Sequence, residues 1–201
     1  MPGGLYHGQA YFRIYPNGLW MAGPVHERSE VLARLTGAAE LLAGRIDQSL
    51  IPVSGGNIGF AIRGAREGHD VAAITGGFLA KEGSVRCAGP VAFGADDRIS
   101  RIILTVMKFD PDIRSAAIIR YSDKAFSALS SIFIECAETD PLKHKGNIST
   151  MDWAVAACCS GGVPEVIALH GPDSENPVIC IFSEEPGILA SNIIILSNRI
   201  Q

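Results

Sequence analysis

The chain has 201 residues, 47% of them hydrophobic and 19% charged, with 17 Lys plus Arg against 21 Asp plus Glu for a net charge of −4. That balance fits one well-buried domain and excludes a disordered polyelectrolyte, while the acidic surplus argues against direct binding of nucleic acid, which favours a basic face. No run approaches the ~18 to 20 apolar residues of a membrane span, and Met1-Pro2-Gly3-Gly4 opens no secretory signal, so the expectation is a cytoplasmic protein with no membrane or nucleic-acid partner.

Residues 1–24 read as an aromatic, Gly- and Pro-rich extension containing Tyr6, Tyr11, Phe12, Tyr15 and Trp20, and residues 25–201 read as one domain. From Glu27 to Leu50 the apolar positions Val31, Leu35, Ala38, Leu42, Ile46 and Leu50 recur every three or four residues. This predicts a single amphipathic helix, a helical extension over 25–50 ahead of an α/β core over 51–201. One helix does not make a helix-turn-helix. Beyond Ser54-Gly55-Gly56, short apolar runs punctuated by Gly, Pro and Asp predict strands at 58–62, 71–74, 77–80, 84–88, 116–121, 132–137, 165–169 and 178–182. Helices are predicted at 97–109, 122–130, 150–159 and 184–196, with Asp96 or Asp97, Ser122, Thr150 and Ser183 as caps.

Five cysteines, at 87, 136, 158, 159 and 180, form no CxxC pair and stand at no zinc spacing to His144 or His170, so neither disulfides nor a metal site is expected. No histidine pairs with a nucleophile in a hydrolase motif, so no catalytic residue is assigned. The segment Phe93-Gly94-Ala95-Asp96-Asp97 runs directly into the helix that starts near Arg98. The backbone N–H groups of Gly94 and Ala95 are therefore candidates for a phosphate, with Arg98, Arg101 and Lys108 along one edge of that helix. A capped helix with solvated arginines explains the same residues. Arg114 and Arg120 flank the next strand, and for Arg114 a structural pairing with a carboxylate such as Asp110 is the plainer alternative.

Seven motifs then occur in order: Asn57-Ile58-Gly59-Phe60-Ala61, Asp70-Val71-Ala72-Ala73-Ile74, Ala88-Gly89-Pro90 with Phe93-Gly94-Ala95, Lys108-Phe109-Asp110-Pro111, Arg114-Ser115-Ala116, Ile119-Arg120-Tyr121-Ser122 and Gly162-Val163-Pro164. Together they resemble the ThiN-type thiamine-phosphate synthase domain, known best from archaea and often fused to a pyrimidine kinase or a helix-turn-helix. The resemblance implies a three-layer α/β/α sandwich related to class II aldolases, with a central mixed, mostly antiparallel sheet preceded by a long helix. It also adds Asn57 to the candidate ligand-binding set of Gly94, Ala95, Arg98, Arg101, Lys108, Arg114 and Arg120.

By the same resemblance, the family joins a pyrimidine methyl diphosphate to a thiazole phosphate and expels pyrophosphate. Such a step needs donors on the leaving group and a dry site for a cationic intermediate; no cofactor is assigned, and magnesium enters as a candidate only if this chain is catalytically active. The family places an Arg shortly after the Asp-Val-Ala-Ala strand and a His twenty-one residues later; here those positions hold Gly77 and Arg98. An Asn is replaced by Ile118, and a Gly-Lys-Glu-Pro segment reads Ser174-Glu175-Asn176-Pro177. Arg98 stays protonated and cannot shuttle a proton as His does. The expectation is a homologue that binds a small phosphorylated thiamine-pathway ligand for sensing or regulation, with synthesis impaired. The alternative is an active synthase, and a homo-oligomer is compatible with either.

Overall fold

The computed structural model of the protein describes residues 24–81, 83–133, 135–139, 151–170 and 176–201. Residues 1–23 of the expected extension and the expected cap Thr150 lie outside the described residues. In chain order the elements are α1 (Pro24–Ala43), β1 (Asn57–Ala61), β2 (Val71–Ile74), β3 (Phe78–Lys81), β4 (Ser84–Cys87), β5 (Val91–Phe93), α2 (Asp97–Val106), β6 (Ser115–Arg120), α3 (Asp123–Ser130), β7 (Cys136–Thr139), α4 (Met151–Cys158), β8 (Val166–Leu169), β9 (Val178–Ser183) and α5 (Pro186–Ile200).

Seven strands form one sheet in the order β5-β2-β1-β6-β9-β8-β7, and β3 and β4 make a separate hairpin. Within the large sheet only β7 and β8 run parallel; the other neighbours are antiparallel. The expected mixed, mostly antiparallel sheet is what the chain forms. Strand alternation divides the core in two. Ile58, Phe60, Ile74, Ala117, Ile119, Ile179 and Ile181 point to the layer of α1, α3 and α5. Ala73, Ala116, Ile118, Ile167, Cys180 and Phe182 point to that of α2 and α4. Because both faces are covered, β1, β2 and β8 are buried at every position, which is why, Asn57 at the start of β1 aside, they read as apolar runs.

Some expectations need correction. The first helix stops at Ala43, and Gln48–Leu50 is a 3-10 turn capped by the Asp47 carboxylate on the Ser49 N–H. Ile46 and Leu50 kept the helical spacing because the turn returns both to the core that Leu35 and Leu42 fill. The helix α2 ends at Val106, short of Phe109, and β7 lies at 136–139 where 132–137 was expected. The strand β5 was missed inside the glycine-rich approach to α2. Asp96 and Ser122 cap α2 and α3 as expected. The cap of α5 is Glu185, followed by Pro186, and not Ser183; the Ser183 hydroxyl accepts the Glu185 N–H instead.

Candidate functional site

At one end of the sheet β1 begins, β2 and β6 end, and the turns 54–56, 75–77 and 88–90 meet. The approach is closest at Gly77. Its φ is +70°, and a Cβ there would stand 2.4 Å from the Gly56 carbonyl oxygen, far inside contact distance. That carbonyl accepts the Phe78 N–H at 2.8 Å, while the Gly77 N–H closes the turn onto Ile74 O at 3.0 Å. A side chain at position 77 and this course of the 54–56 turn therefore exclude each other.

Asn57 opens β1 and is 1% exposed. Its Nδ2 donates to Ile74 O at 2.9 Å and to Asp96 Oδ2 at 2.8 Å, and its Oδ1 accepts the N–H groups of Ile58 at 2.9 Å and Ile74 at 3.1 Å. Asp96 in turn caps α2, taking the N–H groups of Arg98 at 2.9 Å and Ile99 at 3.1 Å on Oδ1. The start of α2 thus already holds a carboxylate of the chain. Arg98 folds back across the edge: one terminal nitrogen donates to Gly55 O at 2.6 Å and the other to Ser54 Oγ at 3.3 Å.

Asn57, Asp96 and Arg98 come together, and Arg120 ends β6 on the same face of the sheet as Ile118 and Asn57. Of the two glycine-segment residues, Gly94 spends its N–H on Val71 O at 2.9 Å and Ala95 packs against the α2-side core. Arg101 is exposed one turn into α2. Lys108 lies past the end of the helix, about 15 Å along its axis from Arg98 at 1.5 Å per residue. It does not share a helix edge with the two arginines. Arg114 is at the other end of the sheet and on the opposite face, over the Phe60 ring, and its carboxylate neighbours are Glu27 and Glu185 in place of Asp110. Of the 174–177 stretch, Ser174 and Glu175 lie outside the described residues.

Sequence reasoning missed Ser54 and Gly55 as partners of Arg98, because contacts more than forty residues apart leave no local periodicity. It also missed a polar group farther along the same sheet end. There His170 pairs with Glu138, and the Tyr121 hydroxyl donates to Asp123 at 3.1 Å while lying 3.5 Å from Glu138. Burial, then the bond to Asp123 and the charge of Glu138, push the Tyr121 phenol up to about 12. On the α2 face, burial holds the Cys180 thiol up at about 12, against a small opposing pull from Arg98. It is a packed thiol and no nucleophile.

Among the described residues no group of three or more His, Cys, Asp or Glu converges as a metal site requires. Asp96, the carboxylate best placed for magnesium, is taken up by Asn57 and two backbone N–H groups. The described residues do not form a magnesium site. Likewise, no helix among the described residues is long and apolar enough to cross a membrane.

Residues 34–195 match the family described as thiamine-phosphate synthase ThiN. The chain is 30% identical over 167 residues to the bifunctional thiamine biosynthesis protein ThiDN of Methanocaldococcus jannaschii, covering 82% of this chain and 40% of that protein's length. Its fold superimposes on the crystal structure of the C-terminal domain of M. jannaschii protein MJ0236 with a TM-score of 0.79 at 28% identity, covering 86% of this chain and 96% of the other. A C-terminal domain of phosphomethylpyrimidine kinase gives 0.78 at 28% identity, covering 85% and 100%.

Proposed function

This chain belongs to the ThiN thiamine-phosphate synthase family, and from that premise we propose that it binds a small phosphorylated thiamine-pathway compound at the glycine-turn edge and performs the coupling step poorly, as suits sensing or regulation. One observation carries the reading: the Gly56 carbonyl fills the space in which a side chain at position 77 would begin, 2.4 Å from its Cβ. By the family resemblance that side chain is an arginine. Its loss is accompanied here by a main-chain course that no longer admits it.

Arg98 supports the same reading from the other side. Standing where the family has a histidine, it ties Ser54 and Gly55 against the start of α2, and its positive charge is retained for a phosphate. A group that never gives up its proton can bind a leaving diphosphate but cannot relay a proton, and removing one transition-state donor typically costs ~10²- to 10³-fold in rate. The test is thermal denaturation with thiamine phosphate, thiazole phosphate and pyrophosphate, wild type beside Arg98→Ala. A ligand at ~100 times its Kd stabilises by about 2.7 kcal/mol, an easily visible shift in Tm. We expect a shift in the wild type that shrinks in the variant; no shift with any of the three removes the reading.

A further inference from the structure

A cavity of about 270 Å³ opens at the opposite end of the sheet, on the α1 face, between the first turns of α1, the end of β1 and the residue that precedes β6. It is separate from the glycine turns by the length of β1, roughly 13 Å at 3.3 Å per residue, and by the sheet itself. Its floor is Phe60, 1% exposed, with the Arg114 guanidinium 4.6 Å above the ring.

The Arg114 side chain is 93% buried, yet its charges are incompletely matched; the exposed fraction is 7%. One terminal nitrogen donates to Ala61 O at 3.0 Å. The nearest carboxylate oxygens, of Glu185 and Glu27, stand at 3.7 and 3.9 Å, beyond hydrogen-bond reach. Each has a nearer partner: Glu185 Oε1 accepts from Arg34 at 2.7 Å, and Glu27 Oε1 accepts the Arg63 N–H at 2.6 Å. The bond to Ala61 O is the hydrogen bond of the Arg114 guanidinium among the described residues, and the side chain lines the cavity. Arg34 is satisfied by Glu30 and Glu185. Arg63 lines the same cavity, and no carboxylate of the described residues lies within 4.0 Å of its guanidinium. After burial itself, the largest influence holding Arg114 below its ordinary pKa is repulsion from Arg63, ahead of the attraction of either glutamate. Arg34, Arg63 and Arg114 are matched in number by Glu27, Glu30 and Glu185, but the three carboxylates hydrogen-bond to Arg34 and to the Arg63 backbone, so the Arg63 and Arg114 guanidiniums line the cavity with no carboxylate hydrogen-bonded to either among the described residues.

We infer that this cavity is a second site, one that takes the carboxylate or phosphate of a small molecule between Arg114 and Arg63. A planar or tetrahedral oxyanion there accepts from Arg114 the donors that Glu27 and Glu185 are too distant to take, and it relieves the repulsion between the two arginines. The other account is an ion-pair network that only stitches α1 to the sheet.

The full chain is titrated with inorganic phosphate and, separately, with acetate, against sodium chloride at matched ionic strength, following Tm and heat of binding. Wild type, Arg63→Gln and Arg98→Ala are compared; Arg63 is exposed, so its replacement leaves the core untouched. Phosphate or acetate should still stabilise Arg98→Ala, in which the glycine-turn site is weakened, and Arg63→Gln should weaken the apparent Kd by about tenfold, the loss of one charge-assisted contact. Which of the two salts acts tells phosphate from carboxylate. The inference is overturned if neither acts beyond chloride, if Arg63→Gln binds as wild type, or if the effect disappears in Arg98→Ala, which would place the anion at the glycine turns.

Discussion

Replacing Gly77 with alanine probes the packing on which the proposed weakening of the coupling step rests. The left-handed φ of +70° charges an L-residue ~1 to 2 kcal/mol, since Cβ crowds the following carbonyl. The new Cβ also meets Gly56 O at 2.4 Å where about 3.0 Å is the closest tolerated approach, so that carbonyl, which holds the Phe78 N–H, has to retreat by roughly 0.6 Å. Overpacking of this kind costs about 1 to 3 kcal/mol, offset by the ~0.5 to 1 kcal/mol that alanine saves in the unfolded chain. The net expectation is a loss of about 1 to 4.5 kcal/mol, read from urea unfolding midpoints. Gly37→Ala is the control: that glycine sits in α1 with nothing within 4 Å of its Cβ position, and the change should stabilise by ~0.5 to 1 kcal/mol. A Gly77→Ala midpoint within 0.5 kcal/mol (about half of the smallest strain term) of wild type would refute the exclusion between residue 77 and the 54–56 turn.

Arg98→His releases Gly55 and Ser54, so the same turn can yield; in a double-mutant cycle with Gly77→Arg the combined loss should fall short of the sum by about 1 kcal/mol or more, and strict additivity would show the turn is not shared. Asn57→Ala strands Ile74 and unseats Asp96, and should cost about 2 to 4 kcal/mol in urea unfolding. Tyr121 ionises near pH 12 in the folded protein and near 10 unfolded, so its stabilisation is complete below pH 10 and lost as pH climbs toward 12; Tyr121→Phe should flatten that alkaline limb. Asp70 behaves in the opposite sense, its carboxyl lowered chiefly by the Arg66 N–H: its contribution is present above about pH 4 and is lost on acidification, and Asp70→Asn should flatten the acid limb of the same pH series.

Much of the fold was legible because local chemistry sets it. Ile99, Ile102, Ile103 and Val106 mark the buried face of α2, Asp96 and Ser122 carry the oxygens that cap, and the doubly covered strands announce themselves as apolar runs. Where turns imitate helices or glycine conceals a strand, the same rules fail, as at Ile46 and at β5. The site was half legible. Asn57 was named from the motif resemblance and Arg98 and Arg120 from their places beside a helix and a strand, but the partners of Asn57 and Arg98 come from remote segments, and the fold-back of Arg98 onto Gly55 has no local signature. Arg114 was grouped with the phosphate candidates, with pairing to a carboxylate such as Asp110 as the alternative; its side chain crosses to the α1 face over Phe60, toward Glu27 and Glu185, and partners so remote in sequence leave no local signal.

The central claim is that the scaffold binds its phosphorylated ligand while the coupling step has been weakened at positions 77 and 98. Its most direct test is the rate at which the purified chain forms thiamine phosphate from the pyrimidine methyl diphosphate and the thiazole phosphate with magnesium supplied, beside a family member that carries Arg and His at the two positions. The account predicts a rate lower by ~10²-fold or more. A rate equal to that of the comparison enzyme would contradict it and establish an active synthase working with Arg98 in place.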